Sequence, residues 1–485
     1  MGNLIGSKIF QMLEASVSVS LLSKLREAFG EAADFEAVCI GELNGREVYL
    51  CYLSTLIGSD HFRFQIEWME RPELDTVLES FSGSKFTSGT FAACERSICS
   101  GKTVLCLSDS AAGIILETSH TQSSGVHSPQ TENVIRGPMY AFNENYQTNA
   151  ALLRQRLKTS RLKIWESTVG DISRTKVGVF YMEGITDAGL VRQFCEKIAT
   201  IRIDGIQDTG ELLKLLNSNA GLYLYPVALS SERPDRAAAA LLNGKVVVIL
   251  DGTPFSLIAP AAFVDFWHSD EDHYLSPFVA FFLRGLRFTA LVVNLFLPAY
   301  YVALTSVNVD INRLEISLAA AASREGVPYP VFIETMLMLF ILDFIVEAGV
   351  RLPKSISSTV TMVGGVVLGQ AVIQANIVSN LLVIVAATTA ITNFIVVDYQ
   401  MGLIQRILKY FMLTGAGIAG VLGIVICFAC LVIVLSRIES FGVSYLTPLG
   451  PGARNRSKAI NAGGSPHRYS LRSLVYSWKE RRPKT

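Results

Sequence analysis

Hydrophobic and polar positions divide this chain into two contrasting parts. Up to about residue 275 charges are scattered and apolar stretches are short, whereas long apolar runs dominate the remainder. The extreme case is residues 355–397, which hold 43 positions without one charged side chain. As helix that run would extend about 65 Å, near twice the ~30 Å hydrocarbon core of a bilayer. No soluble core helix needs that length. The pattern therefore predicts two membrane passes joined by a tight turn, or one pass plus a re-entrant dip, with the break at the polar pair Ser379-Asn380. Three more apolar segments accompany it: 288–307, where Pro298 should kink a helix, then 332–350, and 411–435. The second carries Glu334, Asp343 and Glu347. Carboxylates are costly inside a bilayer, so this helix either lies at the interface or turns its acids toward water or protein. Asp343 and Glu347, four apart, share a helix face.

The first part carries a different pattern. Strand-like segments at 47–53 and 176–182 are each followed by a small polar turn and a helix-like stretch. Two later segments, GKTVLCLSD from Gly101 and GKVVVILD from Gly244, are Gly-Lys-led strands ending in Asp. The same order twice predicts two α/β subdomains of similar design, residues 1–150 and 151–275. A helical polytopic membrane domain over 276–440 and a basic tail over 441–485 follow. The fold class is thus a two-lobed α/β N-terminal domain followed by an α-helical membrane domain.

Charge changes the picture chiefly through orientation. The 485 residues carry no net charge, but the last 35 hold nine Lys/Arg against one Glu. A basic tail argues for a cytoplasmic C-terminus. The N-terminus lacks a basic n-region ahead of a long apolar core, and Gly6 stands where a myristoylation motif requires Ser or Thr, so the N-terminal part is also expected in the cytoplasm. Two cytoplasmic ends demand an even number of passes, whereas the apolar segments number five. Either the acidic helix or the glycine-rich half of the long run does not cross fully.

Sites for chemistry are few. The eight cysteines show no paired framework and no zinc spacing, and Cys427 and Cys430 read as small packing residues of an apolar helix. Gly101-Lys102-Thr103 is no phosphate loop, because Arg96 stands at the first glycine position and a strand follows Thr103. The run Glu232-Arg233-Pro234-Asp235 reads as a structural ion-pair corner. The segment 148–163 is a strongly basic helix candidate, read as a solvated face or as a contact for anionic lipid or a partner. The polar stretch 119–130 reads as a loop. No enzyme, cofactor, metal site or nucleic-acid partner is expected. The most unusual segment is 359–379. Gly365 and Gly369 form a small-xxx-small face, Asn376 returns to nearly the same helical angle, and Gln370 and Gln374 lie on an adjacent one. Such a helix either packs closely through interhelical amide bonds or lines a narrow, wettable pore.

Several blocks resemble one family. They are ERPD-x-AAA-x-LL-x-GKVVVILDGTPF from Glu232, LPAYYVAL from Leu297, REGVPYP from Arg324, EAGVRLP from Glu347, VGGVVLGQAVIQANIVS from Val363 and SFGVSYLTPLGP from Ser440. TENVIRGP from Thr131, TNAALLRQRLK from Thr148 and SRTKVGVFYMEGI from Ser173 extend the likeness into the first part. Together they resemble the A subunits of bacterial spore germinant receptors, the GerA family, over nearly the full length.

The resemblance implies a multi-pass protein of the spore inner membrane with a cytoplasmic N-terminal domain. It would work with a transporter-like B subunit that binds the nutrient and with a lipoprotein C subunit, as a homo-oligomer around a pore for monovalent cations. A non-conducting scaffold or a secondary transporter is the alternative. The chain departs from the family pattern at 225–231, at Met139-Tyr140-Ala141, at Leu339 and Val346 (in place of a carboxylate and an arginine), and at Asn380. These departures suggest a diverged paralogue.

Overall fold

The computed structural model describes residues 20–43, 46–57, 87–116, 128–132, 137–217, 224–311, 314–353, 365–367 and 369–447. The loop expected at 119–130 and the basic tail lie almost wholly outside them. The described chain forms two compact units, one comprising residues 20–217 with Ala228–Pro260, the other residues 224–227 and 261–447.

The first unit contains the same fold twice. In the first lobe helix α1 (Leu21–Phe29) precedes β1 (Phe35–Leu43) and β2 (Arg46–Leu53). Then come β3 (Thr87–Gly89), α2 (Phe91–Ile98), β4 (Thr103–Leu107) and β5 (Gly113–Leu116). All pairings are antiparallel, in the order β1-β2-β4-β5-β3. In the second lobe α3 (Tyr146–Arg156) precedes β6 (Leu162–Val169) and β7 (Thr175–Met182). Helices α4 (Ala188–Thr200) and α5 (Thr209–Leu216) come next, then β8 (Leu229–Ser231), α6 (Pro234–Leu242), β9 (Val246–Leu250) and β10 (Ser256–Ala259). The order is β6-β7-β9-β10-β8, the same permutation. The two matched sequence pairs are β2 with β7 and β4 with β9, so the recurring strand pattern marks a structural repeat.

Side-chain alternation along the strands builds each core. On one face of the first sheet, Cys51, Leu53, Val104 and Cys106 pack under Leu21, Leu25 and Phe29 of α1 and Cys94 and Ile98 of α2. On the other face, Val48, Leu50, Tyr52, Leu105 and Leu107 form a second cluster. In the second sheet Gly178 leaves room for the ring of Tyr146, whose Cζ would lie 2.8 Å from a Cβ at that position. The Tyr146 hydroxyl then donates to Glu166 Oε1 at 2.9 Å.

The basic segment 148–163 joins the lobes through two of its five cations, Arg154 and Lys163, while the other three are exposed as a solvated face would have them. Arg154 and Asp34 are each 1% exposed. Arg154 donates Nε to Asp34 Oδ2 at 2.9 Å and Nη2 to Oδ1 at 2.6 Å, while Nη1 reaches the Leu162 carbonyl at 2.7 Å. Asp34 also accepts from Thr55 Oγ1 at 2.9 Å. Lys163, equally buried, donates to the Ala28 carbonyl at 2.7 Å, and the Ala33 amide donates to the Ile164 carbonyl at 2.9 Å. Arg156 and Lys158 remain exposed. Arg161 is exposed as well, so the interior seam is served by Arg154 and Lys163.

The second unit is helical. It contains α7 (Pro277–Val302), continued by a π-helical turn over Ala303–Val307, then α8 (Leu314–Ser323), α9 (Val331–Arg351), α10 (Asn380–Asn393) and α11 (Tyr399–Arg437). Residues 365–367 and 369–374 are helical too. Helix α7 begins eleven residues before the apolar segment does. Pro277 suits a first helical turn, and Asp272 receives Arg284 Nε at 3.0 Å and Arg287 Nη1 at 2.8 Å, so both cations are matched inside the helix. Burial pushes the Asp272 carboxyl up, but the two guanidiniums prevail and hold it below its ordinary value. Its contribution to stability is therefore complete above the ordinary aspartate range and lost as pH falls through the depressed value.

Among the described residues two helices, Pro277–Val307 and Tyr399–Arg437, are long and apolar enough to cross a membrane. The second is a hairpin. Ala419 and Gly420 leave helical geometry, Gly420 at φ +59°. A Cβ on Gly415 would lie 3.0 Å from the Gly423 carbonyl and would collide with Cys427 Sγ. Residues twelve apart in a straight helix are about 18 Å distant, so residues 399–418 and 421–437 run antiparallel. The Asn308 side chain caps the second half, accepting from the Val421 amide at 2.9 Å. Further contacts orient the rest. Asn294 meets Thr389 and Tyr301 meets Ser379, so α7 and α10 are antiparallel. Gly417 packs on Phe332 and Lys409 on Asp343, so the first half of α11 opposes α9. Phe428 stacks edge-on against Phe296, so its second half opposes α7.

Two outcomes test this fold. Arg154→Met should destabilise the protein by about 3–5 kcal/mol, because it strands a buried carboxylate; combined with Asp34→Leu it should recover much of that loss in denaturant titrations of the purified chain. Gly420→Val should abolish monodisperse protein in size-exclusion chromatography, since it adds a β-branched side chain at positive φ against Asn308.

Candidate functional site

Polar groups inside the helical unit are organised around two carboxylates. Glu334, in the first turn of α9, is 1% exposed. Its Oε2 accepts from Arg324 Nε at 3.2 Å and its Oε1 from the Ser379 amide at 2.6 Å. Arg324 also donates to the Tyr329 carbonyl at 3.0 Å. Ser379 is the N-cap of α10, accepting from the Leu382 amide, and its hydroxyl pairs with the Tyr301 hydroxyl at 3.1 Å. One carboxylate thus fixes the chain after α8, the start of α9, the start of α10 and, through Ser379, the end of α7. The break expected at Ser379-Asn380 falls where an N-cap serine begins a helix.

The two acids expected on one face go separate ways. Asp343 Oδ1 accepts from Lys409 Nζ at 2.9 Å, and its Oδ2 takes a short hydrogen bond from the Tyr410 hydroxyl. Glu347 is exposed and pairs with Arg351 one turn along its own helix, at 2.9 Å. Leu339 and Val346, the departures from the family pattern, line a small cavity with Asp343, Lys409, Ala386, Ala390 and Asn393. The partner of Asp343 was not legible in the sequence, because Lys409 lies 66 positions away.

The glycine-rich segment is shorter as helix than its spacing suggests. The Ile377 amide donates to the Val372 carbonyl and the Asn376 amide to that of Ile373 at 3.0 Å, with Asn376 at φ +52°. This is a Schellman ending with asparagine at the left-handed position. Asn376 therefore leaves the helical face of Gly365 and Gly369, and the eleven-residue angle does not apply to it. A Cβ on Gly365 or Gly369 meets nothing within 4 Å among the described residues, and Gln370 and Gln374 are exposed.

The Glu232–Asp235 run sits in the α/β unit, buried. Arg233 grips Asp235 through Nε at 3.1 Å and Nη2 at 2.6 Å, with Pro234 opening α6. Glu232 instead accepts from the Thr131 amide at 2.6 Å, the Thr131 hydroxyl at 2.8 Å and the Glu132 amide at 2.9 Å. Glu132 in turn accepts from Ser231 Oγ and Arg236 Nη1, both at 2.7 Å. The charges anchor the 131–132 turn to α6. Among the described residues no group of three His, Cys, Asp or Glu could hold a metal.

A profile of the Bacillus/Clostridium GerA spore germination proteins matches residues 23–466, across both units. The chain belongs to that family. Spore germination protein B1 of Bacillus subtilis (strain 168) is 34% identical over 360 residues, 74% of each chain. Spore germination protein GerLA of Bacillus cereus is 35% identical over 362 residues, 75% of this chain and 73% of its own. The crystal structure of the N-terminal domain of the A subunit of the Bacillus megaterium spore germinant receptor GerK3 aligns at 21% identity and TM-score 0.39, over 52% of this chain and 99% of that one.

For this GerA-family protein, Glu334→Ala should lower thermal stability in detergent by about 3–5 kcal/mol, because it strands Arg324 and the Ser379 amide. Glu334→Gln, which keeps an acceptor for Ser379, should lose visibly less in the same melts.

Proposed function

We propose that this protein is the membrane subunit of a nutrient germinant receptor and contributes, as a homo-oligomer, the ion-conducting element that partner subunits open. By the family resemblance those partners are a transporter-like B subunit and a lipoprotein C subunit, in the spore inner membrane. The catalytic reading has no support among the charged clusters described above, which pair side chains with one another or hold backbone. The observation that carries the channel reading is the open face of the 365–374 helix. A Cβ on Gly365 or Gly369 would meet none of the described residues of the chain, so close packing on those residues does not account for them. Gln370 and Gln374 then need water or another copy of the chain.

The α11 hairpin supports a topology with both termini in the cytoplasm. Counted with the 365–374 helix, which at about 15 Å covers half of the ~30 Å hydrocarbon core, α7, α9, α10 and the two halves of α11 give six passages on this reading, an even number. The sixth comes from the apolar segment 411–435, which sequence counting takes as one pass.

Gly369→Leu tests the conducting role. It should block cation release from proteoliposomes or spores while the receptor still assembles; loss of assembly instead would mean that the stripe packs copies together, and unchanged flux would remove it from the pore. Asn376→Gly, which keeps the left-handed turn without the amide, should alter flux only if that amide lines the path. For topology, Ile418→Cys in a cysteine-free background should react with an impermeant maleimide from the outer face, and Ser465→Cys only from the inner face. Protection of position 418 from both sides would replace the hairpin with a single buried span.

A further inference from the structure

The cavity beside Asp343 has properties that the channel reading leaves unused. Its polar contributors are the Asp343 carboxylate, the Lys409 ammonium and the Asn393 side chain, and the remaining walls are Leu339, Leu342, Val346, Ala386 and Ala390. Asn393 Oδ1 is buried and has no hydrogen-bond partner among the described residues. Gln405 stands one turn before Lys409 on the same helix face and is 3% exposed, and neither of its amide atoms has a partner among the described residues. Buried amide oxygens left unmatched are rare in native interiors and call for a ligand, an ion or water. In the cavity the Asn393 oxygen accompanies one carboxylate, with aliphatic walls that supply no other charge, while Gln405 lies outside its lining.

We propose that this cavity is a monovalent-cation site whose resident cation is the protein's own Lys409 ammonium. The donor set consists of oxygens, from the Asp343 carboxylate and the Asn393 amide carbonyl, which suits hard cations. One carboxylate balances one positive charge, so a divalent ion would be left uncompensated in a low-dielectric interior. Lys409 meets that demand from the opposing helix through a flexible stem. It thereby ties α9 to the first half of α11 for as long as it occupies the site. An alkali cation entering from solution would compete with Lys409 for the same oxygens. This site lies outside the glycine stripe, and its occupancy does not depend on whether the oligomer conducts.

The test uses the full chain in detergent, melted in sodium, potassium or choline chloride at equal ionic strength. The wild type should show no difference between salts, because the tethered ammonium outcompetes free ions. Lys409→Met should melt several degrees lower in choline and regain stability saturably with sodium or potassium. Asp343→Asn combined with Lys409→Met should melt alike in all three. A Lys409→Met protein indifferent to the salt would overturn the proposal, including through capture of Asp343 by Arg406 three residues away. So would alkali-ion rescue that persists in the double variant. If Lys409→Met cannot be purified in any of the salts while the double variant can, the cavity accepts no replacement cation and the proposal is equally overturned.

Discussion

A carboxylate removed from water must be met by donors, and in the helical unit this requirement decides where the chain goes. Glu334 is the clearest case. It sits at the start of one helix, and two of its donors come from the end of a second element and the first residue before a third. An isolated buried charge would cost several kcal/mol even after relaxation, so the elements bearing Arg324 and Ser379 converge on it. Ser379 then passes the constraint to α7 through Tyr301. Asp343 repeats the logic one helix face away, with Lys409 and Tyr410 from α11. In a medium where apolar faces gain nothing by meeting one another, such polar matches and close glycine contacts are what hold helices together. Gly415, Gly417 and Gly423 supply the second kind of contact.

The α/β unit solves a different problem with the same means. Two lobes with one topology bury most of their apolar faces separately, Ala151 of α3 joining the core of the first, so their mutual arrangement needs a specific link. A bidentate Arg–carboxylate pair provides geometry as well as energy, and Arg154 with Asp34 sits at that join. It contributes little net energy relative to a well-packed apolar substitute. Its physical value lies in the two planar groups, which admit one relative orientation, while Lys163 and the Ala33 amide bind adjacent backbone.

Legibility in the sequence followed the range of the interaction. The strands β2, β7, β4 and β9 were readable because alternation is local, and their recurring order exposed the repeat. The break before α10 was readable because an N-cap serine acts within three residues. The hairpin in α11 was not. Its turn is Ala419-Gly420 inside an unbroken apolar run, and its cap comes from Asn308, more than a hundred positions away. The density of glycines at 415, 417, 420 and 423 was the available signal, and it reads equally well as helix packing. The buried state of Arg154 was hidden for the same reason, since Asp34 lies 120 positions earlier. Asn376 failed differently: the stripe assumed an uninterrupted helix, and asparagine at a left-handed C-terminal position ends one as effectively as glycine.

The helix over 365–374 then stands apart from its neighbours. α9 and α11 pair the interior charges Asp343 and Lys409 with each other, and Glu334 of α9 is met by Arg324 and the Ser379 amide, whereas the 365–374 segment presents Gln370 and Gln374 outward beside two glycines. Hydrocarbon offers those amides no hydrogen bonds, and a lipid-facing helix would leave several donors and acceptors unmatched. Water or a second copy of the chain can supply them, and a ring of copies around a hydrated axis supplies both at once. The neighbouring helices are joined by internal pairs such as Lys409 with Asp343. On the channel reading the division of labour is then physical: helices whose buried carboxylates are matched internally form the rigid frame. The one whose polar groups are left outward is free to face the conducting path, where small side chains set its width and uncharged amides let an ion pass without trapping it.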